Sequence, residues 1–183
     1  MKLNIGSGEK HLAGYINVDA EPQTKPDVVC NIGRDAWPFD DDSVDEVVAE
    51  HILEHLTTPE LFHCMRQLHR VCKNGAQIKV RLPHPRHDIF LSDPTHQRPI
   101  MPGTLMLFSQ GHIRRLRDKG LVLTPFGEYL GVDFHMENDL TYQFDASVDM
   151  KAPDLEWQAK HLNNIIQEWT VTLTAVKPAG GAR

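Results

Sequence analysis

The sequence predicts an α/β fold: a mostly parallel, twisted β-sheet flanked by helices, with an antiparallel hairpin at its C-terminal edge. Short runs rich in β-branched residues alternate with a helical segment in the first half of the chain. Segments that alternate apolar and polar residues dominate the second half, which favours antiparallel strands. With 183 residues the chain can bury one sizeable core. We therefore expect a single domain over residues 1–183.

Four strands are expected before residue 51, each bounded by Gly, Pro or Asp. They are Lys2–Ile5, Tyr15–Val18, Asp27–Cys30 and Asp45–Glu50. Only about nine residues separate the first two, whereas a parallel crossover normally needs a dozen or more residues and a helix. The first crossover is therefore predicted to be a turn.

A helix is expected after the fourth strand. Thr58 is predicted as its N-cap with Pro59 at the first helical position, and the pair Asn74-Gly75 is predicted to end it. Apolar residues recur at spacings of four, three and four along one face, at Leu61, Met65, Leu68 and Cys72. Residues 76–82 then alternate as a strand with one wetter face.

The second half begins with a proline-rich stretch that is too long for a plain connection, and we interpret residues 84–120 as a lid or substrate segment. Alternation predicts a hairpin from strands 131–136 and 140–144, with Glu137–Asp139 as its turn. A final strand is expected over 169–175. The tail, residues 179–183, is predicted to be frayed.

Composition excludes several classes of function. The net charge of −6 argues against a nucleic-acid partner, and the short basic run Arg114–Arg117 is interpreted as a solvated helix face. No apolar stretch is long enough to span a bilayer, so no membrane partner is expected. The N-terminus lacks a secretory signal, which predicts a cytoplasmic protein. The three cysteines lack CxxC spacing and are expected to be reduced core thiols.

Glycines after the first strand and an acid after the second suggest a nucleoside site. Gly6 and Gly8 let the backbone approach a ligand closely, because no Cβ intervenes. Asp19, at the end of the second strand, can accept hydrogen bonds from ribose hydroxyls at the carboxyl edge of a parallel sheet. Together these residues outline a nucleoside pocket.

Five segments in order carry a family resemblance. They are Leu3-Asn4-Ile5-Gly6-Ser7-Gly8, Ile16-Asn17-Val18-Asp19, Trp37 through Val47, His51-Ile52-Leu53-Glu54-His55-Leu56 and Leu68 through Ala76. This ordered set resembles class I S-adenosylmethionine-dependent methyltransferases, whose fold is Rossmann-like, in a branch with a very short first crossover. The resemblance covers about residues 2–100. It implies an enzyme that uses S-adenosyl-L-methionine and releases S-adenosyl-L-homocysteine.

The resemblance also implies roles for residues of this sequence. Gly6, Ser7 and Gly8 are expected against the methionine part of the cofactor, and Asp19 against the ribose. Four further positions are expected to complete the cofactor site: Asn31 and Ile32 near adenine, where the family often has Asp in place of Asn31, and Glu50 and His51 near the sulfonium.

Methyl transfer asks mainly for alignment of a nucleophile and removal of its proton. His84 leaves the fifth strand at the carboxyl edge and is the first candidate base; His96, in a segment that resembles this methyltransferase branch, is the second. The expected acceptor is a small molecule or a sugar-type compound, methylated on oxygen or nitrogen. The lid residues Met101, Met106 and Phe108 are candidates to enclose it. Monomer and homodimer both stay open.

Four alternatives remain open. His51–His55 matches the H-x-x-E-H motif of zinc hydrolases, although Thr57-Thr58-Pro59 interrupts the helix that the motif needs. A cation on lid residues could orient a hydroxyl; the candidate ligands are His84, His87, Asp88, Asp93 and His96. A non-catalytic nucleoside-binding module and a nicotinamide-dependent oxidoreductase are the others. No metal ligand is assigned from the sequence.

Overall fold

The computed structural model describes residues 1–178; residues 179–183, and with them the predicted frayed tail, lie outside this range. The strands are β1 (Lys2–Ile5), β2 (Ile16–Asp19), β3 (Val28–Val29), β4 (Val44–Glu50), β5 (Cys72–Pro83), β6 (Phe134–Met136), β7 (Thr141–Phe144) and β8 (Ile166–Ala175). The helices are α1 (Thr58–Val71), α2 (Asp88–Leu91), α3 (Pro102–Met106), α4 (Gln110–Asp118), α5 (Phe126–Leu130) and α6 (Leu155–His161). Short 3-10 turns lie at Pro22–Thr24 and Leu53–His55.

The strands form one mixed sheet in the order β3-β2-β1-β4-β5-β8-β6, with β7 also paired to β8. Strands β1 to β5 are parallel, and β8 is antiparallel to β5. β1 lies between two neighbours, since Leu3 pairs with Ile16 on one side and with Val47 on the other. The carboxyl ends of β1, β2 and β4 therefore meet at one edge. The predicted mostly parallel sheet with an antiparallel edge is confirmed.

The two faces of the sheet differ in polarity. On one face, side chains such as Leu3, Val47 and Ile78 are fully buried in the core that α1 covers. The opposite face carries charged side chains, among them Lys2 and Lys79, which are exposed. This confirms the wetter face that alternation predicted for the fifth strand.

The first crossover, residues 6–15, contains no helix, as predicted. Its path is held by the Ser7 N–H, which donates to the Val18 carbonyl at 3.1 Å, and by two buried asparagines. Asn4 Nδ2 donates to Asn17 Oδ1 at 3.0 Å and to the Lys10 carbonyl at 2.9 Å. Hydrogen bonds from side-chain amides thus hold this connection in place, where a crossover helix would normally pack against the sheet.

The predicted helix exists, but both of its ends differ from the prediction. Thr57, not Thr58, is the N-cap, and it forms a capping box with Glu60, whose carboxylate accepts from the Thr57 N–H at 2.8 Å. The helix ends at Val71 and the chain enters β5 at once, so Asn74-Gly75 lies within the strand and does not end the helix. Gly75 has a φ of +84°, which marks an irregularity in β5.

The antiparallel edge is present, but the predicted hairpin is wrong. β6 and β7 do not pair with each other; both pair with β8, Met136 opposite Leu173 and Thr141 opposite Thr170. They form one edge strand interrupted at residues 137–140. Asp139 bridges the interruption, because its Oδ1 accepts from the Thr172 N–H at 3.0 Å. The polar residues that suggested a hairpin turn therefore form a bulge.

The predicted lid is partly a core segment. Leu105 and Phe108 are fully buried, and Ile100 and Ile113 are at most 3% exposed. The Phe108 ring packs against Phe62 at a centroid distance of 6.2 Å, so it does not enclose an acceptor. Residues 84–99 remain at the carboxyl edge of the sheet, and their action as a lid stays a prediction.

The structure also bears on the expectations for the cysteines and for membrane-spanning segments. All three cysteines are free and buried. Across residues 1–178, no helix combines the length and apolarity needed to cross a bilayer.

We expect Phe108→Ala to lower the free energy of unfolding by about 3–5 kcal/mol, because it leaves a cavity in a close-packed core. The control is Leu91→Ala on α2, where the side chain is 64% exposed and the expected change is within about 0.5 kcal/mol. Urea unfolding measures both. Similarly small effects from the two variants would contradict the placement of Phe108 in the core.

Candidate functional site

The carboxyl ends of β1 and β2 are joined by hydrogen bonds that fix Asp19 beside the glycine loop. Asp19 Oδ2 accepts from the Gly8 N–H at 2.7 Å, and Oδ1 accepts from the Glu21 N–H at 2.9 Å. Gly6 and Gly8 have φ angles of +63° and +49°, which glycine adopts without steric cost. The structure therefore brings Gly6, Gly8 and Asp19 to one edge, as the sequence predicted.

Gly6 also permits close approach of the turn that follows β4. A Cβ at Gly6 would lie 2.3 Å from Ile52 Cγ1, far inside van der Waals contact. The preceding residue, His51, has a φ of +52° and turns the chain away from the sheet. Ile52 is thus a wall of the site that the sequence analysis did not name; its only signal was an apolar residue directly after a strand.

A cleft of about 310 Å³ opens at this edge, a volume within the range of small-molecule sites. Four of the predicted cofactor residues line it: Gly6, Asp19, Asn31 and Ile32. Lining residues that were not predicted include Cys30, Ile52, His55 and Gln97. The cleft combines apolar walls with the Asp19 carboxylate.

The turn after β3 places Asn31 and Ile32 in this cleft. Asn31 Oδ1 accepts from the Gly33 N–H at 3.0 Å, and the Asn31 N–H donates to Asp35 Oδ2 at 2.8 Å. Ile32 is 5% exposed, and its carbonyl accepts from Trp37 Nε1 at 3.1 Å. Because an amide oxygen has two lone pairs, Asn31 keeps one acceptor position and its NH₂ group for a ligand.

Three more of the predicted residues, Ser7, Glu50 and His51, line a second cleft of about 290 Å³ that shares Gly6 with the first, and Gly8 lines neither. Lys10 pairs with the Glu50 carboxylate, and Arg81 Nη1 lies 3.9 Å from it. Burial acts to raise the pKa of Glu50, but these cations hold it below its usual range. The second cleft thus offers charges of both signs beside the glycine loop.

The H-x-x-E-H segment does not form the helix that a zinc hydrolase needs. Residues 53–55 make a single 3-10 turn, and α1 begins only at Thr58. His51 Nε2 lies 3.1 Å from Glu168 Oε1, whereas His55 Nδ1 lies 2.9 Å from Thr95 Oγ1. The two histidines therefore turn to different partners, and the zinc-hydrolase interpretation is wrong.

Glu54, within this turn, is 1% exposed. Among the described residues, neither of its carboxylate oxygens has a hydrogen-bond partner, and burial raises its pKa to about 7. The Glu54 carbonyl accepts from the Gln97 N–H at 2.8 Å, which brings the predicted residue His96 against the turn. From the sequence, Glu54 and His55 were considered only as members of the H-x-x-E-H motif and not as residues beside the cofactor cleft.

The lid histidines separate into two places. His84 is buried and lines a different, largely apolar cleft of about 670 Å³ together with Tyr142 and Phe144. Its Nδ1 accepts from the Arg86 N–H at 3.2 Å, and burial lowers its pKa. His87 Nε2 lies 3.1 Å from Asp145 Oδ2.

The cation site considered from the sequence drew its candidate ligands from five lid residues. Within residues 1–178, no three of His84, His87, Asp88, Asp93 and His96 bring ligand atoms within 4.8 Å of one another. That particular ligand set is therefore wrong.

The chain is similar to known proteins in both sequence and structure. Residues 5–80 match the family model of a methyltransferase domain. Among solved structures, an S-adenosylmethionine-dependent methyltransferase from Archaeoglobus fulgidus aligns with a TM-score of 0.62 and 20% identity, covering 94% of this chain and 85% of that one. A possible histamine N-methyltransferase from Thermotoga maritima aligns with a TM-score of 0.57 and 13% identity, covering 96% and 81%.

A third structure of the same fold is the [4+2]-cyclase SpnF, with a TM-score of 0.54 and 14% identity, covering 98% of this chain and 75% of that one. Comparison with curated proteins found no match. The solved structures show that this chain has the Rossmann-like fold of these proteins, and the matched segment shows that residues 5–80 resemble a methyltransferase domain. The predicted resemblance is confirmed.

We expect Gly6→Ala to destabilise the fold more than Gly8→Ala. Both substitutions place a Cβ on left-handed backbone, which costs about 1–2 kcal/mol. Only Gly6→Ala adds a collision, with Ile52; nothing lies within 4 Å of a Cβ at Gly8. Urea unfolding of the two variants measures the difference.

The double variant Gly6→Ala with Ile52→Gly is the control for this mechanism, because it also removes the Ile52 Cβ, which would lie 2.6 Å from the new methyl group. If the collision occurs, the double variant should lose less free energy of unfolding than the sum of the two single variants. Additive losses would mean that the two residues do not touch. Equal destabilisation by Gly6→Ala and Gly8→Ala would contradict the close approach.

Proposed function

We propose that this protein transfers the methyl group of S-adenosyl-L-methionine to a hydroxyl or amine of a small-molecule or sugar-type acceptor. One observation carries the proposal: the Asp19 carboxylate is fixed beside the Gly6–Gly8 backbone and lines a cleft of suitable size. The match to a methyltransferase domain supports the same reaction class. The expectation of a cytoplasmic enzyme without a nucleic-acid partner remains a prediction.

The adenosine part of the cofactor fits the first cleft. Each Asp19 oxygen already accepts one backbone hydrogen bond, and a carboxylate has about four acceptor positions, so both ribose hydroxyls can still be bound. Ile32 and Ile52 provide apolar walls for adenine, and Asn31 offers its amide to the edge of the base.

The methionine part fits the second cleft, which continues from the first across Gly6. Its carboxylate would meet Lys10 and Arg81, and its ammonium group would meet Glu50. Such charge-assisted contacts are stronger than neutral hydrogen bonds. Ser7 and His51 line the same cleft, as the resemblance implied.

In the reaction, a lone pair of the acceptor attacks the methyl carbon in line with the carbon–sulfur bond. That bond breaks, its electron pair stays on sulfur, and S-adenosyl-L-homocysteine leaves. The acceptor also loses a proton. We place this step at the wall formed by Glu54, His55 and His96, because His55 lines the cofactor cleft.

We propose that His84 contributes to acceptor binding and not to proton transfer. Its Nδ1 accepts a backbone hydrogen bond, so in the neutral imidazole the proton sits on Nε2, which then donates and does not act as a base. The largely apolar cleft that His84 lines is suited to the body of an acceptor.

The test is a pair of measurements on the full chain. Calorimetric titration with S-adenosyl-L-homocysteine, S-adenosyl-L-methionine and NADH identifies the cofactor. Incubation of the enzyme and S-adenosyl-L-methionine with a panel of hydroxylated and amine acceptors, followed by mass spectrometry, identifies turnover. Since the [4+2]-cyclase SpnF shares the fold, binding alone does not establish methyl transfer. Binding without turnover would favour the non-catalytic module, and binding of NADH alone would overturn the proposal.

We expect Asp19→Ala to weaken S-adenosyl-L-homocysteine binding by tenfold or more, since a hydrogen bond to a charged group contributes about 1.5–3 kcal/mol. Because Asp19 also holds the Gly8 and Glu21 N–H groups, far-UV circular dichroism must confirm folding. Asp118→Ala, at the exposed end of α4, is the matched control with unchanged affinity. An unchanged affinity in Asp19→Ala would refute the ribose assignment.

We expect His84→Ala to raise KM for the acceptor while the affinity for S-adenosyl-L-homocysteine stays unchanged, because His84 lines the apolar cleft and not the cofactor cleft. Steady-state kinetics and titration separate the two quantities. A loss in kcat with no change in KM would instead assign His84 to proton transfer.

A further inference from the structure

The Glu54 carboxyl group is buried without a partner that would neutralise its charge. It is 1% exposed, and in the described part of the chain neither carboxylate oxygen accepts a hydrogen bond from another residue. Burial of an unpaired carboxylate costs far more than burial of a neutral group, so such groups in folded proteins are paired or coordinate metals. Glu54 is therefore neutralised either by taking up a proton or by a cationic partner.

The backbone holds Glu54 in this position. Its carbonyl accepts from the Gln97 N–H at 2.8 Å, and the adjacent Leu53 is 1% exposed in the core. Arg98 stabilises the contact between residues 97–98 and this turn, because its Nε donates to the Leu56 carbonyl at 3.1 Å. The carboxylate cannot swing into solvent unless these contacts break, so the proton or the cation must come to it.

The hydrogen bonds of His96 fix which of its ring nitrogens can bind a metal ion. Its Nδ1 lies 2.7 Å from the Phe90 carbonyl, which can only accept, so Nδ1 carries the proton. Nε2 of neutral His96 is then a free lone pair, 3.9 Å from Glu54 Oε1. Histidines that bind metals commonly have their other ring nitrogen fixed by a carbonyl in this way.

His55 is oriented by a similar argument. The Thr95 hydroxyl donates its one proton to Asp93 Oδ1 at 2.6 Å, so in its 2.9 Å contact with His55 it must accept. His55 Nδ1 therefore carries the proton and Nε2 is unprotonated. Asp93, Thr95 and His55 form a chain that fixes the tautomer of a second potential ligand.

A proton shared between these groups does not meet the requirement of Glu54. The nearest nitrogens, His51 Nδ1 and His96 Nε2, lie 3.7 and 3.9 Å from Glu54 Oε1, beyond the range of a hydrogen bond. Two ligands of a tetrahedral ion, each bound at about 2.0–2.2 Å, lie about 3.4 Å apart. The separations are thus closer to those across a metal ion than to those across a proton.

We propose that Glu54, His55 and His96 bind one divalent transition-metal ion in the wall of the cofactor cleft, and that this ion holds the acceptor through its oxygen atoms. Ligand atoms of the three residues lie within 4.8 Å of one another. Two imidazoles and one carboxylate form a donor set that suits Zn²⁺, Mn²⁺, Fe²⁺ or Co²⁺ and leaves coordination positions open.

The proposed role of the ion rests on the proposed function, whereas the metal site itself does not. Since His55 lines the cleft, open coordination positions on the ion face a bound ligand. An acceptor with two adjacent hydroxyl groups would fill two of them, which predicts a catechol-like or sugar-diol acceptor. Coordination favours the deprotonated hydroxyl, whose proton passes to solvent before its oxygen attacks the methyl group.

The test measures metal binding without reference to turnover. Full-length protein stripped with chelator is titrated calorimetrically with ZnCl₂, MnCl₂ or CoCl₂, and the visible absorption of the Co²⁺ form reports its coordination. We expect one tight site in the wild type and at least tenfold weaker binding in Glu54→Gln and His96→Asn. The surface variants Glu128→Gln and His135→Gln are matched controls and should bind as the wild type does.

Thr95→Ala is a milder variant that leaves the three ligands and the core in place. Loss of the group that orients a metal ligand typically weakens binding by about 10–100-fold, and we expect a loss in that range. Thermal unfolding adds a second readout, because the ion should raise the Tm of the wild type by mass action and not that of Glu54→Gln.

The outcomes separate the two proposals. Absence of a stoichiometric metal complex in the wild type, or equal affinity in Glu54→Gln, overturns the metal site whatever the cofactor titration gives. Metal binding together with failure to bind S-adenosyl-L-homocysteine upholds the site and overturns the proposed function. If both ligands bind but turnover is the same with and without metal, the role of the ion in holding the acceptor is refuted.

Discussion

The structure depends on one steric constraint, the contact between the backbone at Gly6 and the side chain of Ile52. β1 is the central strand of the parallel region, and the turn after β4 can close over its end only because Gly6 has no Cβ. That approach separates the carboxyl edge into two clefts that share Gly6 as a common wall. It also starts the path that carries Glu54 into the interior and brings Thr57 to the N-cap of α1.

The short first crossover has a second consequence. Parallel sheets are normally covered by helices on both faces, and here residues 6–15 provide none. The uncovered face carries charged side chains, and the buried Asn4–Asn17 pair organises the connection in place of a helix. Asn17 accepts from the Leu12 N–H at 2.8 Å and donates to Asp27 Oδ2 at 2.9 Å, so one side chain joins the crossover, β2 and the approach to β3. A compact cofactor edge is thereby built from few residues.

The sequence allowed prediction of features that depend on local pattern and failed where tertiary pairing decides. Short β-branched runs located β1 and β4, alternation located β8, and the glycine and acid pattern placed Gly6 and Asp19 at one edge. The same reasoning misread Gly75 as a helix stop, because propensity does not reveal that β5 begins directly after Val71. It misread Glu137–Asp139 as a hairpin turn, because only the register with β8 distinguishes a turn from a bulge. Proline-rich composition suggested a lid where Leu105 and Phe108 are core.

Histidine roles were the least accessible from sequence, for a definite physical reason. In one dimension His84 ranks above His96 as a candidate base, only because it directly follows the fifth strand. Their chemistry is set by what faces Nδ1: a backbone N–H at His84, a carbonyl at His96. The first arrangement leaves a donor at Nε2 and the second leaves a lone pair. The carbonyl that fixes His96 belongs to Phe90, six residues away. Nε2 of His96 lies near Glu54 only because the backbone N–H groups of residues 97–98 bond to the Glu54 carbonyl. The chemistry proposed for this wall therefore depends on a long-range contact that no local motif encodes.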